Sequence, residues 1–237
     1  MTKVEEGRVH QIFETIYQKY DLVNAIISFG QHKAWRCDTV KRLNVEKGQL
    51  VLDLCCGTGD LTIPLAKAVG PQGKVIGLDF SHNMLAVAAK KMKRMKLTQV
   101  ELMSGNALRL TMPSDTFDKV TIGFGLRNLR TYPQAIKQAH RVLKDGGMFA
   151  CLETSRPKMF GIRHLYSFYL KKIMPRLGTL LTNSYPSYAW LQESTMAFSN
   201  RCEVVATLKE IGFINVTEKL YALGAVTLYI GQKKRCN

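Results

Sequence analysis

The stretch Leu50-Val51-Leu52-Asp53-Leu54-Cys55-Cys56-Gly57-Thr58-Gly59-Asp60 decides the fold. Its first five residues are an apolar run and read as a buried strand. The run ends in Gly-Thr-Gly. Helical spacing then resumes through Leu61, Ile63, Leu65, Ala66 and Val69, so a helix over 58–69 is predicted. A strand that breaks on glycines into a helix N-terminus is a ligand cradle. Glycine takes positive φ and lets a ligand approach the backbone, and the first helical turn adds free N–H donors. Asp53 sets a carboxylate against Gly57, Thr58 and Gly59. No Gly-Lys-Ser/Thr follows, which excludes a phosphate-binding loop of the nucleotide hydrolases. The third glycine of the dinucleotide fingerprint is also missing.

Outward from that stretch the chain alternates strand and helix. Strands are predicted at 74–78, 100–103, 117–122 and 148–153, with helices at 81–95 and 132–143. Ser81 is the cap of the first of these helices. A last helix at 202–211 precedes strands at 213–219 and 223–230, which read as an antiparallel edge pair. Alternating β and α in short units gives a parallel sheet with helices on both faces. In front of the first strand, 8–20 and 31–43 read as helices separated by an irregular turn at 24–30. Together they form an N-terminal cap over about 8–45. A second cap interrupts the rhythm at about 156–200. There Ile162, Leu165, Tyr166, Tyr169 and Ile173 make an apolar helical stripe flanked by Arg163, Lys171, Lys172 and Arg176. Pro175 and Pro186 mark breaks. The 237 residues read as a single domain carrying two caps.

Two further motifs lie at strand ends, where parallel sheets bind ligands. Asp79 closes the second strand, and a carboxylate there can accept both hydroxyls of a ribose. Because Ser81 caps the helix, Asp79 is left for a ligand. Gly105-Asn106-Ala107 follows the third strand, where an Asn side chain or a backbone N–H can pair with an adenine edge. The hydrophobic share is 46% and the net charge +16, which favours an anionic partner, either nucleic acid or a membrane surface. No run of eighteen apolar residues and no signal-peptide pattern occurs, so a cytoplasmic location is expected. The six cysteines form no CxxC pair, so neither a zinc site nor a disulfide framework is indicated.

Asp53, the glycine turn, Asp79 and the polar turn after strand three together resemble the class I S-adenosylmethionine-dependent methyltransferases. That resemblance implies a seven-stranded, mostly parallel sheet with its last strand reversed. Gly57, Thr58, Gly59, Asp53, Asp79, Asn106 and Ala107 would then hold the donor. Tyr20-Asp21-x-x-Asn24-x-x-x-Ser28-x-x-x-His32-x-x-Trp35 resembles the N-terminal signature of the quinone C-methyltransferases, the family of demethylmenaquinone and ubiquinone methylases. Arg141-Val142-Leu143-Lys144-Asp145-Gly146-Gly147, with Glu153-Thr154-Ser155 beyond it, resembles the second signature. Gly123-Phe124-Gly125-Leu126-Arg127-Asn128 and Tyr188-Ala189-Trp190-Leu191-Gln192-Glu193-Ser194 also look like family segments. Asp145 departs from the family's proline, and Ser199 from a second one. Neither touches an expected site.

The resemblance implies methylation of a ring carbon of demethylmenaquinol, giving menaquinol, without a metal. The long isoprenoid tail of such a substrate implies transient contact with an anionic membrane surface. A benzoquinol substrate of ubiquinone biosynthesis is the nearest alternative. A basic RNA methyltransferase is the alternative that the charge suggests, but the chain lacks the Asn/Asp-Pro-Pro-aromatic loop of amino-group methylases. Within the implied reaction Arg127 is expected to stabilise a phenolate or hold a water that takes its proton, and Asn128 to orient the ring oxygen. Tyr20, His32 and Trp35 are expected to line the substrate slot, with His32 a conceivable base. Cys55 and Cys56 read as small core residues rather than nucleophiles.

Overall fold

The computed structural model describes residues 3–129, 131–174, 176, 185–198 and 200–235. Pro175, Ser199 and Cys236 lie outside them. Seven strands form one sheet: β1 (Leu50–Leu54), β2 (Lys74–Asp79), β3 (Val100–Ser104), β4 (Phe117–Gly123), β5 (Leu143–Thr154), β6 (Phe213–Tyr221) and β7 (Val226–Lys233). Their order is β3-β2-β1-β4-β5-β7-β6. The pairs from β3 through β5 are parallel, and β7 runs antiparallel to both β5 and β6. The strand order reverses between β1 and β4, and a sheet of this kind opens its ligand crevice at such a point.

Alternation in β1 explains how the sheet is covered. Leu52 and Leu54 pack into a core with Ile136 and Ala139 of α6 (Tyr132–Val142) and Leu208 of α9 (Arg201–Ile211). Val51 faces the opposite way, into a core with Val40 of α3 (His32–Arg42) and Leu65 and Val69 of α4 (Thr62–Val69). Helix α5 (His82–Arg94) begins at Ser81, whose hydroxyl accepts the Met84 N–H as read from the sequence.

Three expectations need correction. Helix α4 starts at Thr62, not at 58, because residues 55–61 are consumed by a turn with Gly57 at φ 54° and Gly59 at φ 83°. The N-terminal cap has three helices, not two: α1 (Lys3–Ile16), α2 (Tyr20–Ile27) and α3. Asn24 lies inside α2 rather than in a turn, and the actual break is Ser28–Gln31, where Phe29 and Gly30 both take positive φ. In the second cap, α7 (Phe160–Phe168) continues into a wider π-turn at Tyr169–Ile173. The apolar stripe of this cap is divided between two surroundings. Leu165 is 70% exposed and Ile173 40%, while Tyr166 and Tyr169 turn inward. Pro186 falls in the first turn of α8 (Tyr185–Ala197), a helix start that suits proline.

Candidate active site

The crevice is built from two strained loops. Cys55, just beyond β1, has φ 52°, and Phe124, just beyond β4, has φ 58°. Left-handed backbone costs a non-glycine residue about 1–2 kcal/mol, so each bend needs outside support. The Phe124 N–H donates to the Leu152 carbonyl at 2.7 Å. The two loops also touch. A Cβ on Gly125 would come within 2.5 Å of the Cys55 Cβ, so only glycine lets them meet. Gly57 has nothing within 4 Å of where its Cβ would sit, and its face lies open for a ligand.

The donor candidates gather at the ends of β1, β2 and β3, but they are not idle. Asp53 is fully buried. Its Oδ1 accepts the Thr121 hydroxyl and its Oδ2 the Thr62 hydroxyl, each at 2.7 Å. Burial outweighs those bonds and raises its pKa to about 6. Asp79 Oδ2 accepts the Gly57 N–H at 2.8 Å and Oδ1 the Ser81 N–H at 2.9 Å. Burial pushes its pKa up too. Both carboxylates thus brace the cradle, with the remaining lone pairs as their capacity for a ligand. Asn106 Oδ1 accepts the Leu108 N–H at 2.8 Å in a tight exposed turn, and Ala107 is buried beside it. Thr58 is 1% exposed and donates to Asp21 of α2 at 2.6 Å, which ties the cradle to the cap.

That tie is part of a charge network that sequence reading missed. Lys91 of α5 pairs with Asp21 at 2.5 Å and Asp60 at 2.7 Å, and Asp60 lies 3.7 Å from buried Arg36 of α3. Arg36 also stands over the Phe124 ring, 5.3 Å from its centroid. A second tie runs from Ser81 to Glu14 of α1 at 2.6 Å. Phe13 and Tyr20 roof the hollow between Gly57, Asp79 and Asn128, which encloses about 40 Å³.

A larger cavity of about 290 Å³ lies under the caps, beside the cradle. Tyr20, His32, Trp35, Arg127 and Asn128 all line it, so the structure brings every acceptor-side candidate together. Tyr20 also lines the hollows next to Gly57, which makes it the common wall of both compartments. Trp35 serves two purposes, lining the cavity and packing on Ala150, Leu152 and Leu228 of the sheet. Arg127 is not a free cation. Its Nη1 donates to Glu153 Oε1 at 2.5 Å and to the Phe124 carbonyl at 2.7 Å, and its backbone N–H donates to Glu153 Oε2 at 3.1 Å. Glu153 has no exposure at all. The Arg127 Nε is buried and takes no partner among the described residues. Asn128 Oδ1 accepts the Trp190 indole N–H at 3.1 Å, which fixes the amide's orientation.

This sheet order, with a glycine cradle at the switch point and acidic residues ending β1 and β2, defines a class I S-adenosylmethionine-dependent methyltransferase. The chain belongs to the ubiE/COQ5 methyltransferase family, whose model matches residues 1–233. It is 49% identical over 234 residues to a demethylmenaquinone methyltransferase of a Geobacillus species, covering 99% of this chain and all of that one. A demethylmenaquinone methyltransferase of Alkalihalophilus pseudofirmus is 50% identical over 233 residues, covering 98% and 99%. Among solved structures, a SAM-dependent methyltransferase of Thermotoga maritima described as a possible histamine N-methyltransferase superposes with a TM-score of 0.66. It is 21% identical and covers 95% of this chain and 100% of that one, a likeness of fold.

Two outcomes are expected. Because Asp53 titrates higher folded than unfolded, it binds its proton more tightly in the native state. Its stabilising contribution is complete below about pH 4 and is lost as pH rises through about 6, a change of up to about 3 kcal/mol. Urea denaturation from pH 4 to 7 will show this decline in the wild type and a flatter profile in Asp53→Asn. Arg127→Ala strands the buried Glu153 charge and should cost about 3–5 kcal/mol, whereas the double variant Arg127→Met, Glu153→Gln should recover most of it in the same assay.

Proposed function

We propose that this chain transfers a methyl group from S-adenosylmethionine to a ring carbon of demethylmenaquinol, giving menaquinol. The observation that carries the reading is the apolar cavity of about 290 Å³ set directly against the glycine cradle, with Tyr20 as their shared wall. The methyl must pass between reactants held at near-contact distance, and this placement supplies that geometry. The names of the close relatives support a naphthoquinol, and family membership favours a quinol over the RNA reading.

Bound S-adenosylmethionine supplies an electrophilic methyl on a sulfonium. The open face of Gly57 and the positive φ of Gly57 and Gly59 fit such a ligand, since bulkier residues there would be strained. Asp53, Asp79, Thr58, Asn106 and Ala107 would surround it. In the acceptor cavity Trp35, Phe124, Tyr166 and Trp190 offer flat apolar walls to a fused ring. Arg127 and Asn128 line the same cavity, the latter held by Trp190, and in this reading they would steady a ring oxygen. Aligned walls and excluded water supply most of what a weakly nucleophilic ring carbon needs.

The cavity has room for a bicyclic head, not for a polyprenyl tail. The second cap offers the tail a place to go. Phe160 is 81% exposed and Leu165 70%, with exposed Arg163, Lys171, Lys172 and Arg176 around them. Phe29, which lines the cavity, is 80% exposed. No helix among the described residues is long and apolar enough to cross a membrane. Apolar side chains ringed by cations suit a surface that rests on anionic lipid.

Purified protein given S-adenosylmethionine and each of two reduced quinols, a short-chain demethylmenaquinol and its methoxybenzoquinol counterpart, should methylate the first at a ring carbon. Methylation of the benzoquinol alone, or of neither, would overturn the proposal. In co-sedimentation the chain should bind anionic vesicles more than neutral ones, and Phe160→Ser with Leu165→Ser should weaken that binding. Equal and negligible binding to both vesicles would remove the membrane contact.

A further inference from the structure

The reaction needs a group that takes the quinol hydroxyl proton, because the ring carbon becomes a competent nucleophile only as its ring oxygen gains charge. The lining of the acceptor cavity narrows the choice. Among the described residues no Asp or Glu lines it. Glu153 is sealed behind Arg127, and Asp60 lies in the smaller hollow. Arg36 and Arg127 carry guanidiniums, which are donors with no acceptor lone pair. Tyr20, Tyr166 and Tyr169 are held protonated by burial, which pushes each of them above the usual tyrosine value. His32 is what remains among the described residues.

A hydrogen-bond chain fixes the tautomer of His32. Ser28 Oγ lies 2.5 Å from the Asn24 carbonyl and 2.6 Å from His32 Nδ1. A carbonyl can only accept, so the single hydroxyl proton of Ser28 points at Asn24. Both short contacts are then satisfied only if Nδ1 carries a proton and donates to Ser28. The bare lone pair is left on Nε2, which takes no hydrogen bond from the described residues. Burial and the neighbouring Arg36 push the His32 pKa down, so the ring is neutral at neutral pH. Arg36 and Lys33 of α3 oppose its protonation, while Asp60 of the β1–α4 loop and Asp21 of α2 favour it.

We propose that His32 Nε2 is the proton acceptor for the quinol hydroxyl, held in the required tautomer by the Asn24–Ser28 chain. This rests on the quinol reading above. The O–H bond breaks, its proton passes to Nε2 and its electron pair stays on the ring oxygen. The ortho carbon takes the methyl, and the C–S bond breaks with its electron pair left on sulfur. That carbon then sheds its own proton to water, the ring regains aromaticity, and the oxygen recovers the proton held by His32. One methyl moves and one proton is released. His32 would be a catalytic residue and Ser28 a positioning residue.

The test uses the full chain. In His32→Asn the amide nitrogen can still donate to Ser28, but no basic lone pair remains. With a short-chain demethylmenaquinol, kcat should fall about 100-fold and the acid limb of the pH profile should vanish, while the calorimetric Kd for S-adenosylmethionine stays within about threefold. Ser28→Ala should give a smaller loss, about tenfold, with a displaced acid limb. Two readouts do not depend on turnover. A nitronaphthol whose ionised form absorbs in the visible should bind ionised to the wild type and neutral to His32→Asn. Ring ¹⁵N shifts of wild-type His32 should report a protonated Nδ1 and a bare Nε2. The opposite tautomer, or His32→Asn keeping its rate and its acid limb, would overturn the assignment and leave the quinol reading standing. A wild type that ionises the nitronaphthol but methylates no quinol would overturn the quinol reading instead.

Discussion

The N–H of Gly57 donates to Asp79 across 2.8 Å, and that bond pins the loop leaving β1 against the end of β2. It acts with the Cys56 N–H, which donates to the Leu78 carbonyl at 3.0 Å, to hold the left-handed bends at Cys55, Gly57 and Gly59 in place. The Cys55 bend in turn decides where the β4 loop can lie, because Gly125 sits against the Cys55 side chain. From Gly125 the chain turns at once into Leu126-Arg127-Asn128, so the acceptor-side residues inherit their position from the donor-side loop. Burial of Asp79 makes the bond worth more than its surface equivalent, because a buried carboxylate has few other sources of hydrogen bonds.

Charge is distributed unevenly over this protein. The net value is +16, yet the site itself is close to balanced. Lys91 and Arg36 meet Asp21 and Asp60, and Arg127 meets Glu153. The excess cations lie on outer surfaces such as the exposed lysines around α7. In the proposed reading the donor carries a sulfonium charge, which a locally balanced site with buried carboxylates at Asp53 and Asp79 would accommodate better than a cationic one.

Much of this was legible because it is local. The strand run Leu50–Leu54, the Ser81 cap and the reversed last strands follow from period, capping chemistry and loop length. What failed, failed for physical reasons. Helix α4 starts late because the turn with left-handed Gly57 and Gly59 runs on through residues that have helical spacing. Spacing alone also cannot say what an apolar face meets: in the α7 stripe Tyr166 and Tyr169 line the cavity while Leu165 is exposed. The 24–30 turn was misplaced because Asn24 and Ser28 look like turn residues, whereas Ser28 bonds back along the helix to Asn24. The pairings of Arg36, Asp21 and Lys91 join distant parts of the chain, so spacing does not show them. Arg36 stands four residues after His32 on the same helix face, the one signal that could have raised it. All twelve candidate site residues gather at the C-terminal edge of the sheet. Sequence could not reveal that Asp53, Asp79 and Arg127 already have internal partners there.

The cavity's walls come from two sources with different histories in the chain. The donor cradle is made by β1, β2, β3 and the loops that leave them. The acceptor cavity combines helices before β1 and after β5 with Phe124, Arg127 and Asn128 of the loop after β4, and the N-terminal helices join the cradle through bonds that include Thr58 to Asp21 and Ser81 to Glu14. Substitutions in those helices can reshape the recognised ring while the sheet and its cradle stay as they are. A scaffold divided in this way can diversify its acceptors by drift in the caps alone, with Tyr20 as the seam at which the two inheritances must continue to agree.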